Sequence, residues 1–406
     1  MIIEPIDRIS GKLKAPSSKS YTHRVLFAGL LVDGKTTFEN PLRCKDTEFT
    51  LKAVNNFGAD INWKRIENDG LVNPANINAG ESGTTARISI AIASLADGIS
   101  RIDGDTGLRK RPMKSILNAL SSMNIKSKSK DGKLPVIIEG GNFESDEVDI
   151  SGRISSQFIT ALLYIGSKIG LTIKVTDKLV SKPYIDMTIE VLKQAGVKVE
   201  RNNKTFKVEK GIKPTHYHIP GDYSSASFML ASGALFGEIT INNLSRNGLQ
   251  ADKKIVELLK EFGANICIKD NNIYVEKDSL EGFEINCDDF PDLFPILTVL
   301  GTYAKGETII NGKQLRYKES DRINNMVVNL KKMGADIEEL ENGVRIRKSK
   351  LKGAQLNPRS DHRIAMALTI AALGAEGKSL IKNSNCVSKS YPDFFNDLRE
   401  VVGYGR

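Results

Sequence analysis

The sequence predicts a globular α/β protein of two domains, built from related helix-and-hairpin modules. Three observations carry this expectation. The 406 residues are 40% apolar and 26% charged, enough to bury at least two ordinary cores and without a signature of disorder. One local pattern recurs along the chain: an amphipathic helix, a break, an alternating strand, a polar turn and a second strand. A further set of helices is apolar around most of its circumference, which places those helices inside a domain.

The recurring pattern reads LKAVNNFGADINWKRIENDGLVN from Leu51, ILNALSSMNIKSKSKDGKLPVII from Ile116 and IEVLKQAGVKVERNNKTFKVE from Ile189. It continues as IVELLKEFGANICIKDNNIYVE from Ile255 and MVVNLKKMGADIEELENGVRIR from Met326, with a truncated copy, LREVVGYGR, from Leu398. The breaks fall at Gly58, Asn124, Gly196, Gly263, Gly334 and Gly403, at near-equal spacing. That period exceeds the roughly 20 to 50 residues of solenoid repeats, so each unit is a supersecondary module in its own right. Val54 with Phe57, and Leu259 with Phe262, lie three apart on one helix face, and Gly supplies the left-handed stop that ends the helix. ENDG, KDGK, RNNK and KDNN are read as the hairpin turns. The apolar helices are SYTHRVLFAGLL, SGTTARISIAIASLA, SSQFITALLYIG, SSASFMLASGALFG, FPDLFPILTVLGTYA and DHRIAMALTIAALGA. Their first turns, richer in small and polar residues, are expected at one end of each domain.

The first residues, Met1 to Lys14, carry Glu4, Asp7, Arg8 and Lys12, and no apolar run approaches the roughly 18 residues that span a bilayer. A cytoplasmic protein without membrane contact is expected. Cys44, Cys267, Cys287 and Cys386 are far apart and form no CxxC pair, so neither a disulfide framework nor a zinc site is expected. His216 and His218 alternate in HYHIP and could share a strand face, but two such residues are more often surface histidines than metal ligands. A formal charge of +9 suits nucleic acid, anionic lipid or small anions. Lys and Arg are spread over the whole chain, and the densest cluster, Leu108 to Pro112, lacks the interleaved aromatics of a nucleic-acid groove.

Small anions fit the helix starts. The first turn of a helix offers free N–H groups and partial positive charge. Lys19, Ser20 and Arg24 surround the first start, Thr84 and Arg87 the second, Ser155, Ser156 and Gln157 the third, and Arg363 the sixth. For Ser155, Ser156 and Thr84, helix capping is the commoner explanation. Two cations at a start are different, because that position ordinarily favours acids. Several such starts suggest a site for more than one anion. GESGTT at 80 to 85 lacks the Lys of a phosphate-binding P-loop, and has Thr84 where a nucleophile elbow needs Gly.

At these residues the chain resembles the 5-enolpyruvylshikimate-3-phosphate synthase family over nearly its full length. The motifs are PSSKSYTHR at 16 to 24, GESGTTAR at 80 to 87, GDTGLRKRPM at 104 to 113, SSQFITALL at 155 to 163 and SKPYIDMT at 181 to 188. They continue with GDYSSAS at 221 to 227, FPD at 290 to 292, RYKESDR at 316 to 322, DHRIAMAL at 361 to 368 and SKSYPDFF at 388 to 395. The resemblance implies two similar domains, each a pseudo-threefold arrangement of three βαβαββ units, an inside-out α/β barrel. The implied domains are 18 to 220, and 1 to 17 with 221 to 406, with the active site in the cleft between them.

It also implies the chemistry: transfer of the enolpyruvyl group of phosphoenolpyruvate to the 5-hydroxyl of shikimate 3-phosphate, without cofactor or metal, by a monomer. Carried over by motif, Lys19, Ser20, Arg24, Ser155, Ser156, Gln157, Ser181, Asp292, Gln314 and Lys318 hold shikimate 3-phosphate. Lys19, Gly83, Arg111, Gln157, Arg322, Arg363 and Lys389 hold phosphoenolpyruvate. Bidentate arginines suit its phosphate and carboxylate. Asp292 is the implied acid/base on the hydroxyl, with Glu319 and Lys19 as partners in proton transfer. Read without the family, Asp292 after Pro291 looks like a helix cap and Glu319 like half of a surface ion pair.

Two departures stand out. Glu81 occupies a position where many members carry Asn, and is left outside the site; Gln314 stands where a substrate-binding Asn is often found. The alternatives are a UDP-sugar enolpyruvyl transferase and a non-catalytic nucleic-acid-binding protein. The sister family's cysteine before the R-P pair has no counterpart between Gly104 and Pro112, and the ordered motifs leave the second alternative without support.

Overall fold

The structure, a computed structural model, describes residues 1–402. The chain divides into two compact units, Met1–Pro16 with Pro220–Arg406, and Ser17–Ile219. Gly403 and the end of LREVVGYGR lie outside the described residues.

Both units follow one plan. In Ser17–Ile219 the inner helices are Lys19–Leu30, Gly83–Ile92 and Ser156–Ile169; in the other unit they are Tyr223–Phe236, Phe294–Tyr303 and His362–Leu373. Nearly every residue of these helices is buried, as their all-round apolar sequences require. Outer helices such as Lys45–Asn56, Lys182–Gln194 and Arg322–Lys332 bury one stripe only. Each unit has its own continuous apolar core. Large side chains such as Phe158, Phe206 and Phe294 are fully buried, each stabilising its core by about 1.5–3 kcal/mol.

Each complete module is a four-stranded sheet with one parallel pair and two antiparallel pairs. Strands Asn76–Asn78 and Gly98–Asp103 run parallel, Gly98–Asp103 pairs antiparallel with Lys133–Gly140, and Lys126–Lys130 completes the hairpin. The repeat read from the sequence begins at a helix, and two modules draw their first strand from elsewhere. His216–His218 lies parallel to Asp33–Glu39, so the end of the Ser17–Ile219 unit closes its first sheet. Ile9–Lys14 lies parallel to Gly237–Asn242 and does the same for the other unit. The sixth module has a three-stranded sheet, in which Ile2–Ile3 pairs antiparallel with Ser379–Ile381 and Gln355–Leu356 pairs parallel with it.

The helix breaks at Gly58, Asn124, Gly196, Gly263 and Gly334 all have positive φ, as a left-handed stop demands. Gly263, at φ +109°, is doubly constrained, since a Cβ there would lie 2.5 Å from the carbonyl oxygen of Ser279. KDGK, RNNK and KDNN are hairpin turns, with positive φ at Asp131, Gly132, Asn203 and Asp270. ENDG is not. Its first three residues belong to the strand Arg65–Asp69, and the turn sits earlier, where Asn62 Oδ1 accepts from the backbone N–H groups of Lys64 and Arg65. The Asn side chain supplies a turn without Gly there, which the reading of ENDG overlooked.

Candidate active site

Many of the candidate side chains lie at or beside helix starts, and others in the loops between elements. In the Ser17–Ile219 unit, Ser18 caps the first of these and accepts from Tyr21 N. That opens the helix at Lys19, whose Nζ donates to Asp46 Oδ2 at 3.0 Å, with both side chains largely buried. Ser20 lies at the same start, and its carbonyl accepts from Arg24 Nη1 at 2.9 Å. Arg24 also donates from Nε to Thr188 Oγ1 at 2.9 Å and from Nη2 to the Tyr184 carbonyl at 2.8 Å. Burial lowers its pKa, yet an arginine so bonded remains charged.

Ser82 caps the second inner helix, which begins at Gly83. A Cβ placed on Gly83 would lie 2.8 Å from Arg111 Nη1 and 3.8 Å from Gln157 Oε1, so the backbone of that turn, the guanidinium and the amide are neighbours. Gln157 Nε2 donates to Thr84 Oγ1 at 2.9 Å, while Gln157 Oε1 accepts from Arg87 Nη1 at 2.7 Å. Arg87 reaches Ser155 Oγ at 3.2 Å as well, and its guanidinium lies over the Phe158 ring. Ser155 caps the third inner helix, with Ser156 and Gln157 in its first turn. Ser181, buried and left-handed at φ 53°, precedes the helix Lys182–Gln194.

In the other unit the centre is Arg322, only 1% exposed. Its Nη1 donates to Asp292 Oδ1 at 2.7 Å and to the Pro291 carbonyl at 3.1 Å, its Nη2 to Glu319 Oε2 at 2.6 Å, and its Nε to Asp361 Oδ2 at 3.0 Å. The same Asp292 carboxylate lies 3.6 Å from Arg363 Nη2 through Oδ2. Asp361 caps the helix His362–Leu373 by accepting from Arg363 N. Asp292 is therefore no helix cap, that place being taken by Leu293, and the partner of Glu319 is a buried guanidinium. Burial pushes the Asp292 pKa up, but the charges of Arg322, Arg363 and Lys318 outweigh it and hold the carboxyl below the ordinary aspartate range.

Arg363 is 2% exposed, and its Nε and Nη1 meet no hydrogen-bond acceptor among the described residues. Burial disfavours its charge, while the carboxylates of Asp292, Asp222 and Asp252 more than restore it. Lys389 Nζ donates to the Ser360 carbonyl at 2.6 Å, and Gln314 Nε2 to the Asp288 carbonyl at 2.7 Å.

Sequence reading missed Asp46, Asp252 and Asp361 as members of these clusters. Asp46 looks like an ordinary acid in a first helical turn, and Asp361 drew no attention beside Arg363. Asp252 is buried and accepts from the Ser224 hydroxyl. Burial and the nearby Asp292 charge raise its pKa to about 7, against the opposing pull of Arg363. Its Gln-Ala-Asp context gave no signal. Among the described residues, no group of three or more His, Cys, Asp or Glu could hold a metal ion, and no helix is long and apolar enough to cross a membrane.

This fold and these clusters define an α/β protein of two repeated-module units, each carrying buried cations at helix starts, one of them with carboxylates set beside its arginines. Residues 3–398 match the family described as EPSP synthase (3-phosphoshikimate 1-carboxyvinyltransferase). The chain is 47% identical over 405 residues to the 3-phosphoshikimate 1-carboxyvinyltransferase of Pyrococcus abyssi, covering 100% of this chain and 98% of that one. It is 42% identical over 419 residues to the protein of the same name from Methanocaldococcus jannaschii, covering 99% and 98%. A solved EPSP synthase from Acinetobacter baumannii superposes with a TM-score of 0.80 at 25% identity, over 99% of this chain and 97% of that one. The chain belongs to the EPSP synthase family.

Proposed function

We propose that this chain transfers the enolpyruvyl group of phosphoenolpyruvate to the 5-hydroxyl of shikimate 3-phosphate and releases inorganic phosphate, a step toward chorismate and the aromatic amino acids. The observation that carries the reading is Arg363. A buried guanidinium with two nitrogens that face no acceptor among the described residues is costly unless an anion completes it, and a planar carboxylate such as that of phosphoenolpyruvate matches its fork. Arg322 and Lys389 add charge to the same subsite. The motifs also assign that substrate to Gly83, Arg111, Gln157 and Lys19 of the Ser17–Ile219 unit, which offers backbone N–H groups at a helix start.

Shikimate 3-phosphate is assigned to Ser20, Arg24, Ser155, Ser156, Gln157, Ser181, Gln314, Lys318 and Asp292, with Lys19 shared. Asp292 takes the proton of the 5-hydroxyl as that oxygen bonds to the substituted carbon of the enol. Glu319 or Lys19 protonates the methylene carbon, giving a tetrahedral ketal. A methyl proton is then withdrawn, the carbon–oxygen bond to phosphate breaks with its electrons on phosphate, and the hydroxyl proton leaves to phosphate or solvent. Held below the ordinary aspartate range by two arginines, Asp292 starts as a carboxylate but a weak base. An anion bound to Arg363 offsets part of that positive field, so the carboxylate gains basicity when phosphoenolpyruvate arrives.

The reading includes a monomeric enzyme of the cytoplasm that binds no nucleic acid; support for the last point is the even spread of Lys and Arg. A phosphate-release assay with phosphoenolpyruvate and shikimate 3-phosphate, with a UDP-sugar as control acceptor, tests the function. Release with the UDP-sugar alone, or with neither acceptor, would overturn it.

A further inference from the structure

Below the Lys19–Asp46 ion pair lies a second contact between the same two helices. His23 follows Lys19 by one helical turn, and Thr50 follows Asp46 by one turn, so the pairs are successive rungs. His23 Nδ1 is 2.7 Å from Thr50 Oγ1, and Thr50 Oγ1 is 2.6 Å from Thr85 Oγ1. Thr85 Oγ1 in turn donates to Ser82 Oγ at 2.7 Å, and Thr85 N donates to the same oxygen at 3.2 Å. Ser82 is the cap of the helix that opens at Gly83. None of the four side chains reaches solvent.

The chain of hydroxyls has a direction. Burial, then the charges of Lys19 and Arg24, hold the His23 pKa well below its ordinary value, so the ring is neutral and carries one N–H. His23 Nε2 has no hydrogen-bond partner among the described residues. A proton there would be a buried donor without an acceptor, in the positive field of Lys19 and Arg24; a lone pair there costs less. The proton therefore sits on Nδ1 and donates to Thr50, Thr50 donates to Thr85, and Thr85 to Ser82. With each hydroxyl directed, the network resists rotation of any member.

We propose that His23 and Thr50 are positioning residues that hold the Lys19 ammonium and the helix start at Gly83 in one register, and so set the affinity for phosphoenolpyruvate. This rests on the assignment of Lys19, Gly83 and Arg111 to that substrate, Lys19 alone of the three being shared with shikimate 3-phosphate. The chain passes from the rung beneath Lys19 directly to the cap of the Gly83 turn, and no named residue of the shikimate 3-phosphate set is a link in it.

The test is Thr50→Val, near in shape but without the hydroxyl, beside Thr50→Ser, which keeps it. Steady-state phosphate release with each substrate varied, calorimetric titration with phosphoenolpyruvate, and urea unfolding are measured on wild type, both variants, Thr85→Val and the double variant Thr50→Val/Thr85→Val. Thr50→Val should raise KM and the calorimetric Kd for phosphoenolpyruvate by roughly 10-fold, and the KM for shikimate 3-phosphate, which shares Lys19 but not Gly83 or Arg111, by no more than about 3-fold. Thr50→Ser should recover most of the loss. The double variant should be little worse than either single one, because both break the same chain. A purely structural role would lower the unfolding midpoint and the active fraction, with both KM values unchanged, and that result overturns the proposal. So do equal losses for both substrates, additive single effects, or no rescue by Ser. If wild type itself binds no phosphoenolpyruvate and releases no phosphate, the functional assignment falls and takes this proposal with it; if wild type is active and Thr50→Val is unaltered, only the proposal falls.

Discussion

Gly83→Ala isolates the cost of placing one methyl group beside Arg111. The backbone at Gly83 is ordinary first-turn helix, so Ala fits its φ and ψ without strain, and unfolding free energy should change by less than about 0.5 kcal/mol. The new Cβ, however, would stand 2.8 Å from Arg111 Nη1, closer than real Cβ contacts occur. To reach 3.4 Å, where ordinary contact begins, the guanidinium has to retreat by about 0.6 Å. The far end of a long side chain can do that cheaply, so the penalty falls on the anion it serves. A hydrogen bond to a charged group contributes about 1.5–3 kcal/mol net, and at about 1.4 kcal/mol per tenfold its loss would raise KM for phosphoenolpyruvate by roughly 10- to 140-fold. Displacement weakens the bond without deleting it, so the lower end, about 10-fold, is expected. Steady-state phosphate release, with one substrate varied at saturating concentration of the other, reads this directly; KM for shikimate 3-phosphate should move less than about 3-fold. An unchanged KM for phosphoenolpyruvate would refute the placement of that substrate against Gly83 and Arg111. A parallel rise for both substrates, or an unfolding free energy lower by about 2 kcal/mol or more, would show a general distortion of the helix start.

Asp292→Asn keeps the shape but removes the base, and should lower kcat by roughly 100-fold or more with small changes in both KM values; single-turnover rates near wild type would dismiss the assignment. Arg363→Ala should raise KM for phosphoenolpyruvate chiefly, and equal loss for shikimate 3-phosphate would count against its role. For Asp252 the pKa is raised on folding to about 7 from an ordinary 3.8. The folded state thus binds a proton that the unfolded state has released, so this contribution to stability is full below the ordinary value and is lost as pH rises through about 7. Urea unfolding of wild type and Asp252→Asn should show the variant gaining on wild type between about pH 5 and pH 8; a constant difference would mean that Asp252 is ionised throughout.

The repeating fold was legible because periodicity is local. An all-round apolar helix must be buried wherever it sits, and Gly58, Gly196, Gly263 and Gly334 announce their left-handed stops by residue type. The turn at Asn62 escaped notice because a side-chain carbonyl did what Gly does elsewhere. The first strands of two modules escaped for another reason. His216–His218 and Ile9–Lys14 are separated in sequence by most of a unit from Asp33–Glu39, or by more than half the chain from Gly237–Asn242, and nothing in a short strand names its distant partner.

The site divides in the same way. Sequence alone determined which helix starts carry cations, since Lys19 and Arg363 stand in first turns where acids are ordinarily favoured. Ordered motifs carried Asp292, Glu319 and Arg322 into the candidate list. Only the tertiary structure decided that Arg322 is gripped by Asp292, Glu319 and Asp361 together, that two nitrogens of Arg363 meet no acceptor among the described residues, and that His23 is wired through Thr50 and Thr85 to the cap of Gly83. Charge and helix preference depend on residues a few positions apart, so a sequence displays them. Desolvation, pKa and hydrogen-bond direction depend on whatever the folded chain brings within about 4 Å, and no spacing along the chain records that.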